Sequence, residues 1–146
     1  MTVNSNTLYT DAWNEIYAVI NGSVTDPLNR GKKWIMSAFP DYGARDFPGY
    51  PIITISSLAA TSNLLTFGKM KQNEISSDIK IYAKMMSHID SISSDVQNQL
   101  KINAGSLEMA GLYNLNFRSD KASTVILNKD KVHIKNLIVI FDYVHL

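Results

Sequence analysis

The sequence predicts an α+β fold, with a mostly antiparallel sheet of about 4–5 strands and two main helices packed on one of its faces. Three observations lead to this prediction. The spacing of apolar residues alternates between the helical period of about 3.6 and the strand period of 2. Successive strand-like segments are joined by short links, which favours antiparallel pairing. The length, 146 residues, is that of one ordinary domain, so we expect a single domain over residues 1–146.

The first predicted element is an amphipathic helix over residues 7–21. Its apolar positions recur at three- and four-residue steps: Tyr9, Trp13, Ile16, Tyr17 and Ile20. This spacing places them on one helix face. Asn21 and Gly22 follow, and this pair commonly ends a helix in the left-handed conformation.

Residues 23–49 have a different character, because prolines and glycines recur too often for long regular structure. Four aromatic residues lie among them and need packing partners: Trp34, Phe39, Tyr42 and Phe47. We expect an ordered long loop with a short strand over residues 33–37.

The remaining residues, 50–146, are expected to form a body in which strands flank a helix. Strands are predicted from Ile52 after Pro51, over residues 63–67, and over residues 74–84, where apolar and polar residues alternate strictly. Residues 68–72 would then form an exposed hairpin tip. A helical stripe follows: Met85, Ile89, Ile92, Val96 and Leu100. Two more strands are predicted, over residues 112–119 and from residue 132 to the end.

The last strand, VHIKNLIVIFDYVHL, is apolar on both faces. One face would carry Leu137, Val139, Phe141 and Tyr143, and the other Val132, Ile134, Ile138, Ile140 and Val144. The two helices can cover only one of these faces. An exposed apolar face promotes aggregation, so the second must be covered by the loop 23–49, by another subunit, or by both. We therefore expect a homo-oligomer, with a candidate subunit interface at Leu137, Ile138, Val139, Ile140, Phe141 and Tyr143.

Charge and composition exclude several function classes. Lys and Arg number 14 against 13 Asp and Glu, a net charge of +1, which provides no global field to attract nucleic acid or an anionic membrane. The chain has no cysteine, so disulfides and cysteine metal sites are excluded. No signal peptide or membrane-spanning stretch is recognisable, and we expect a protein made in the cytoplasm that does not contact membranes.

No set of residues converges on catalysis. His88, His133 and His145 lack the spacing of a metal site, the serines lack a nucleophile-elbow motif, and the glycines are too scattered to cradle a phosphate. The sequence therefore predicts no enzyme, no metal and no cofactor.

Two mildly basic segments lie on predicted loops and are candidate partner contacts. They comprise Arg30, Lys32, Lys33 and Trp34 in one loop, and Lys69, Met70 and Lys71 in the other. Trp34 beside Lys33 offers a ring on which a base can stack. The alternative is a pair of solvated loops with one buried aromatic residue. The near-neutral total charge favours a protein partner over nucleic acid.

The order of these elements, with the segments YPIITIS, EISSDIKIYAK and HIDSISSDV, resembles the tail terminator, or tail completion, proteins of long-tailed phages and related viruses. The resemblance covers nearly the whole chain and contains no diagnostic motif. It implies a non-catalytic virion protein, assembled in the host cytoplasm, that forms a hexameric ring. Such a ring caps the tail tube and joins it to the head connector or neck protein, and DNA crosses it only in passage. The long loop 23–49 departs from the family pattern.

Two alternatives remain beside the terminator. One is another head–tail joining or tail protein of the virion. The other is a small α+β binding module, monomeric or dimeric, in which the loop 23–49 closes a ligand pocket between the sheet and Trp34, Phe39 or Tyr42.

Overall fold

A computed structural model describes residues 2–64 and 71–145 of the chain. After a short 3-10 turn at Ser5–Thr7, the helices are α1 (Leu8–Ser23), α2 (Met86–Ile102) and α3 (Ala104–Ala110). The strands are β1 (Ile35–Met36), β2 (Ile52–Ile55), β3 (Ala59–Leu64), β4 (Lys71–Ala83), β5 (Tyr113–Ser119), β6 (Ser123–Leu127) and β7 (Asp130–His145). The predicted α+β class is confirmed.

The strands form one sheet around the long antiparallel pair β4 and β7. The order is β1-β2-β4-β7-β5, with β3 also paired to β4 and β6 also paired to β7. The described residues thus contain seven strands, more than the four or five predicted. The additional strands are β1, the short strand expected within the loop, and β6, which was not predicted. In the sheet, β2 and β3 follow each other along β4, and β5 and β6 follow each other along β7. Each pair is one long outer strand with a break.

The helices cover one face of this sheet, as the hydrophobic pattern predicted. The buried stripe of α1 (Ala12, Ile16 and Ile20) and that of α2 join the same hydrophobic cluster as Ile79 of β4 and Val139 of β7. Pairing of Ile79 with Leu137 places these two side chains on the same face. The core therefore lies between the helices and the alternate residues of the two central strands.

Three elements differ from the sequence-based expectation. The second strand, predicted over residues 63–67, is observed at Ala59–Leu64, and residues 65–70 lie outside the described part of the chain. The short helix α3 was not predicted. The strand β6 falls in a stretch expected to be an irregular link; none of its residues is fully buried, so it carries no alternating burial signal.

Candidate interaction surfaces

Strand β7 has one face in the core. Leu137, Val139 and Phe141 are at most 1% exposed, and Tyr143 is 7% exposed and donates a hydrogen bond to the Val3 carbonyl over 3.3 Å. All four belong to the hydrophobic cluster that the helices complete. These four candidate interface residues are thus enclosed in the hydrophobic cluster of their own subunit.

Among the described residues, no helix covers the opposite face of β7. We call it the open face and define it by Ile134, Ile138, Ile140 and Val144, which are half-buried. Ile138 is paired with Asp78 on β4 and with Arg118 on β5, so an apolar side chain stands between a negative and a positive one. Of the predicted interface residues, Ile138 and Ile140 lie on this surface.

The loop between α1 and β2 covers another part of the same sheet face. Phe39 packs against Tyr82 of β4 with ring centroids 4.8 Å apart, and its ring also contacts those of Tyr42, Phe47 and Tyr50. Beneath them Ile52 is fully buried and Thr54 is 7% exposed. We call Phe39, Tyr42, Phe47, Tyr50 and Tyr82 the aromatic cluster. The expectation that this loop covers part of the second face is therefore confirmed.

Two hydroxyl groups of the aromatic cluster form a hydrogen bond with each other. The hydroxyls of Tyr42 and Tyr50 lie 2.7 Å apart. Burial, followed by this hydrogen bond, raises the pKa of Tyr50 far above its ordinary value, so the phenol stays neutral. The Lys84 ammonium lies 5.8 Å from the Tyr50 ring centroid and 3.2 Å from the Asp130 carboxylate. Lys84 thus connects the aromatic cluster to Asp130, the first residue of β7.

Arg30 connects the two ends of this loop, which together we call the loop base: Asp26 at its start and residues 48–51 at its end. Its guanidinium donates to the carbonyls of Pro48, Gly49 and Pro51 over 3.2, 2.8 and 2.6 Å. It also forms an ion pair with Asp26 at 2.9 Å, and the two side chains are only 14% and 8% exposed. A guanidinium group can bind several carbonyls and a carboxylate at once because its N–H donors are held in a rigid planar arrangement. Arg30, predicted as a partner contact, is therefore engaged inside its own loop.

The environment of Asp26 favours its charged form. Burial alone would raise its pKa, but hydrogen bonds from the Arg30 side chain and from the backbone N–H groups of Leu28 and Arg30, with the Arg30 charge, lower the pKa below its ordinary value. The pair is a stabilising contact of the loop base.

The other loop residues predicted to contact a partner differ from one another in their exposure to solvent. Trp34 is 8% exposed and belongs to the hydrophobic cluster, with the Arg30 guanidinium 5.7 Å from its ring centroid. Its ring is not available for stacking on a base. Lys32 and Lys33 are exposed. Lys69 and Met70 lie outside the described residues, and Lys71 begins β4.

Two adjoining hollows lie on either side of the end of β1, and Ser37 lines both. The first has a volume of about 510 Å³ and is lined also by Tyr9, Thr10, Trp13, Ser57 and Leu58. The second has a volume of about 450 Å³ and is lined also by Lys32, Lys33, Met36, Arg45 and Asp46. We call the two together the β1 groove. Sequence inspection missed Arg45 and Tyr9 as members of a common surface, since no local pattern connects them.

The described part of the chain offers neither a cluster of metal ligands nor a helix that could span a membrane. Within residues 2–64 and 71–145, no three His, Asp or Glu side chains come together as metal ligands. His133 is hydrogen-bonded through Nδ1 to the Thr124 hydroxyl at 2.8 Å. None of the described helices is both long enough and apolar enough to cross a membrane.

Comparison with known proteins identifies a fold relative. No protein-family model and no curated protein matches the sequence. Among solved structures, a chain of the virion of a native gene transfer agent particle superimposes with a TM-score of 0.58 and 10% sequence identity. The match covers 89% of this chain and 92% of that chain. The two chains share a fold over nearly their full lengths.

Proposed function

We propose that the protein is a structural component of a virion, and specifically a tail terminator that forms a ring of about six subunits. In this role the ring caps the tail tube and joins it to the head connector or neck protein, while DNA only passes through. The protein acts by assembling and not by catalysing a reaction. The observation that carries the proposal is the open face, whose apolar residues are covered by none of the described helices.

The open face has the composition of an interface between copies of the chain. Its centre is aliphatic, with Ile138 and Ile140 half-buried, and charged residues flank that centre. Asp78 and Arg118 stand on the two sides of Ile138, so a second copy can offer the opposite charge to each of them. Closure into a ring covers such a surface on every subunit.

The shared fold with a gene transfer agent virion chain supports the same class. A ligand-binding module would need a pocket between the loop 23–49 and the sheet. This alternative finds no support, because Phe39 packs directly on Tyr82 and Trp34 lies in the core between the sheet and the helices, the helix-side core. Another head–tail joining or tail protein would share the assembly behaviour and differ in its partners.

The native mass tests the proposal. Size-exclusion chromatography with light scattering, with and without purified tail tubes, should yield a ring of the wild-type chain or a ring assembled on the tube end. Ile138→Asp should remain a folded monomer under both conditions. Ile126→Asp is the matched control. Ile126 is an aliphatic residue of β6 that is 77% exposed and lies outside the defined open face, so this change should leave assembly intact. A wild-type chain that stays monomeric even with tail tubes would contradict the proposal.

A further inference from the structure

We infer that the β1 groove binds an extended acidic peptide segment of another protein, with an aromatic or aliphatic side chain as its anchor. This inference goes beyond the ring, since the groove lies at the outer edge of the sheet, on β1, and not on the open face of β7. It does not depend on which virion component the protein is.

The first hollow supplies an apolar pocket with rigid walls. Tyr9 is 54% exposed, and Leu58 lines the same hollow. Trp13 is fixed by a hydrogen bond from its indole N–H to the Ile55 carbonyl at 3.0 Å and by stacking on Tyr17 at 5.0 Å. A pre-formed wall loses little conformational entropy when a ligand is bound. A single large apolar side chain fits this hollow.

The second hollow supplies positive charge that the protein does not neutralise. Lys32, Lys33 and Arg45 line it together with one carboxylate, Asp46. Within the described residues, Lys32, Lys33 and Arg45 form no ion pair, and the Lys33 ammonium lies 5.9 Å from the Tyr17 ring centroid. Three cations against one anion attract an acidic ligand.

The two hollows meet at Ser37, so one ligand can occupy both. Successive side chains of an extended peptide are only about 3.3 Å apart along the chain, so a few residues reach from the apolar hollow to the basic one. The combination favours a peptide over nucleic acid. Trp34 is buried and Trp13 is already stacked on Tyr17, so among the aromatic residues that line the groove Tyr9 offers the one largely exposed ring. A single ring falls short of the row of aromatic platforms on which single-strand binders stack successive bases.

A labelled model peptide tests the inference. The probe is a fluorescein-labelled peptide in which phenylalanine alternates with glutamate, and binding to the full-length protein is measured by fluorescence anisotropy. We expect saturable binding that weakens as salt is added. A peptide with lysine in place of glutamate, and one with alanine in place of phenylalanine, should each bind at least about tenfold more weakly.

Two sets of variants locate the binding site. Lys32→Glu with Arg45→Glu should weaken binding about tenfold or more, because two attractive contacts become repulsive. The matched control is Lys121→Glu with Lys131→Glu, two exposed residues outside the groove, which should bind as the wild type does. Tyr9→Ser should weaken binding, whereas Tyr113→Ser, at a residue that is 43% exposed on β5, should not.

One further variant tests whether peptide binding in the β1 groove is independent of ring assembly. Ile138→Asp should bind the peptide as tightly as the wild type, so that loss of assembly and loss of groove binding are distinguished. Equal binding of the glutamate and lysine peptides, or wild-type affinity in the Lys32 and Arg45 double variant, would overturn the inference. It would also be overturned if a duplex oligonucleotide bound through Lys32 and Arg45 while the acidic peptide did not.

Discussion

Ile138 and Val139 are neighbours on β7 whose side chains lie on opposite faces of the sheet. Val139 is fully buried beneath the helices, and Ile138 is half-buried on the open face between Asp78 and Arg118. The same chemical change at these two positions therefore has different consequences.

Val139→Asp should unfold the subunit, because an unpaired carboxylate in the helix-side core costs about 3 kcal/mol or more. Ile138→Asp should leave the subunit folded and lower its free energy of unfolding by only about 1–2 kcal/mol, through the loss of half-buried apolar surface and the nearby Asp78 carboxylate. Circular dichroism during urea titration measures both. If both variants unfold, the open face is internal, and the physical argument for assembly is lost.

Arg30→Ala should destabilise the protein by about 2–4 kcal/mol, because it leaves Asp26 unpaired and removes the donors to three carbonyls. Arg30→Lys should recover only part of this loss, since an ammonium cannot reproduce the guanidinium fork.

The control for Arg30 is Arg45→Ala in the same loop. Arg45 is exposed and forms no ion pair with a described residue, so its removal should change stability by less than about 0.5 kcal/mol. Thermal unfolding compares the variants. Equal effects at the two arginines would show that Arg30 does not hold the loop base.

Asp26 should contribute to stability in a pH-dependent way. Its folded-state pKa lies below the ordinary value of 3.8, so the folded state binds the proton less readily than the unfolded chain. The contribution is therefore complete above about pH 4 and is lost as the pH falls through the lower folded-state pKa.

Asp26→Asn removes this contribution and supplies the comparison. The stability gap between the wild type and Asp26→Asn should be largest near neutral pH and should narrow steadily below about pH 4. Urea unfolding over that pH range measures the gap. A gap that does not change with pH would contradict the assigned ion pair.

Gly111 and Gly105 offer a matched pair of alanine substitutions. Gly111 ends α3 with φ +107°, and an added Cβ would lie 3.3 Å from the Tyr143 ring. Gly111→Ala should therefore cost about 1–3 kcal/mol. Gly105 is the second residue of α3, and apart from its chain neighbours and its own helix backbone no atom lies within 4 Å of an added Cβ.

Gly105→Ala should stabilise the protein by about 0.5–1 kcal/mol through helix propensity. Differential scanning calorimetry compares the two variants. If Gly111→Ala left the thermal stability unchanged, the end of α3 would tolerate a backbone conformation different from the one described.

Much of the fold was predictable where one face of an element is buried and the other is not. The predicted helix over residues 7–21 is observed at Leu8–Ser23, and the alternating segment over residues 74–84 lies within β4 and just beyond its end. The short strand expected over residues 33–37 is observed at Ile35–Met36. For the helix and for β4, the period of the apolar residues matches the geometry of the element.

The candidate surfaces were predictable only in part. The sequence singled out Lys32 and Lys33, which do line the β1 groove, but it grouped them with Arg30 and Trp34, whose side chains are engaged within the subunit. A basic residue in a loop looks the same in sequence whether its charge meets carbonyl groups or solvent. Only the path of the loop around Arg30 distinguishes the two.

By itself the sequence determined that β7 has two apolar faces, since alternation along a strand depends only on residue order. Which face is internal was decided by the tertiary structure. The helices lie on the side of Leu137 and Val139, and the aromatic loop covers the other face beside Tyr82 while leaving Ile138 and Ile140 without a helix. The physical reason is that period-two patterning is identical for both faces. Burial depends on where the connections place the helices and the loop.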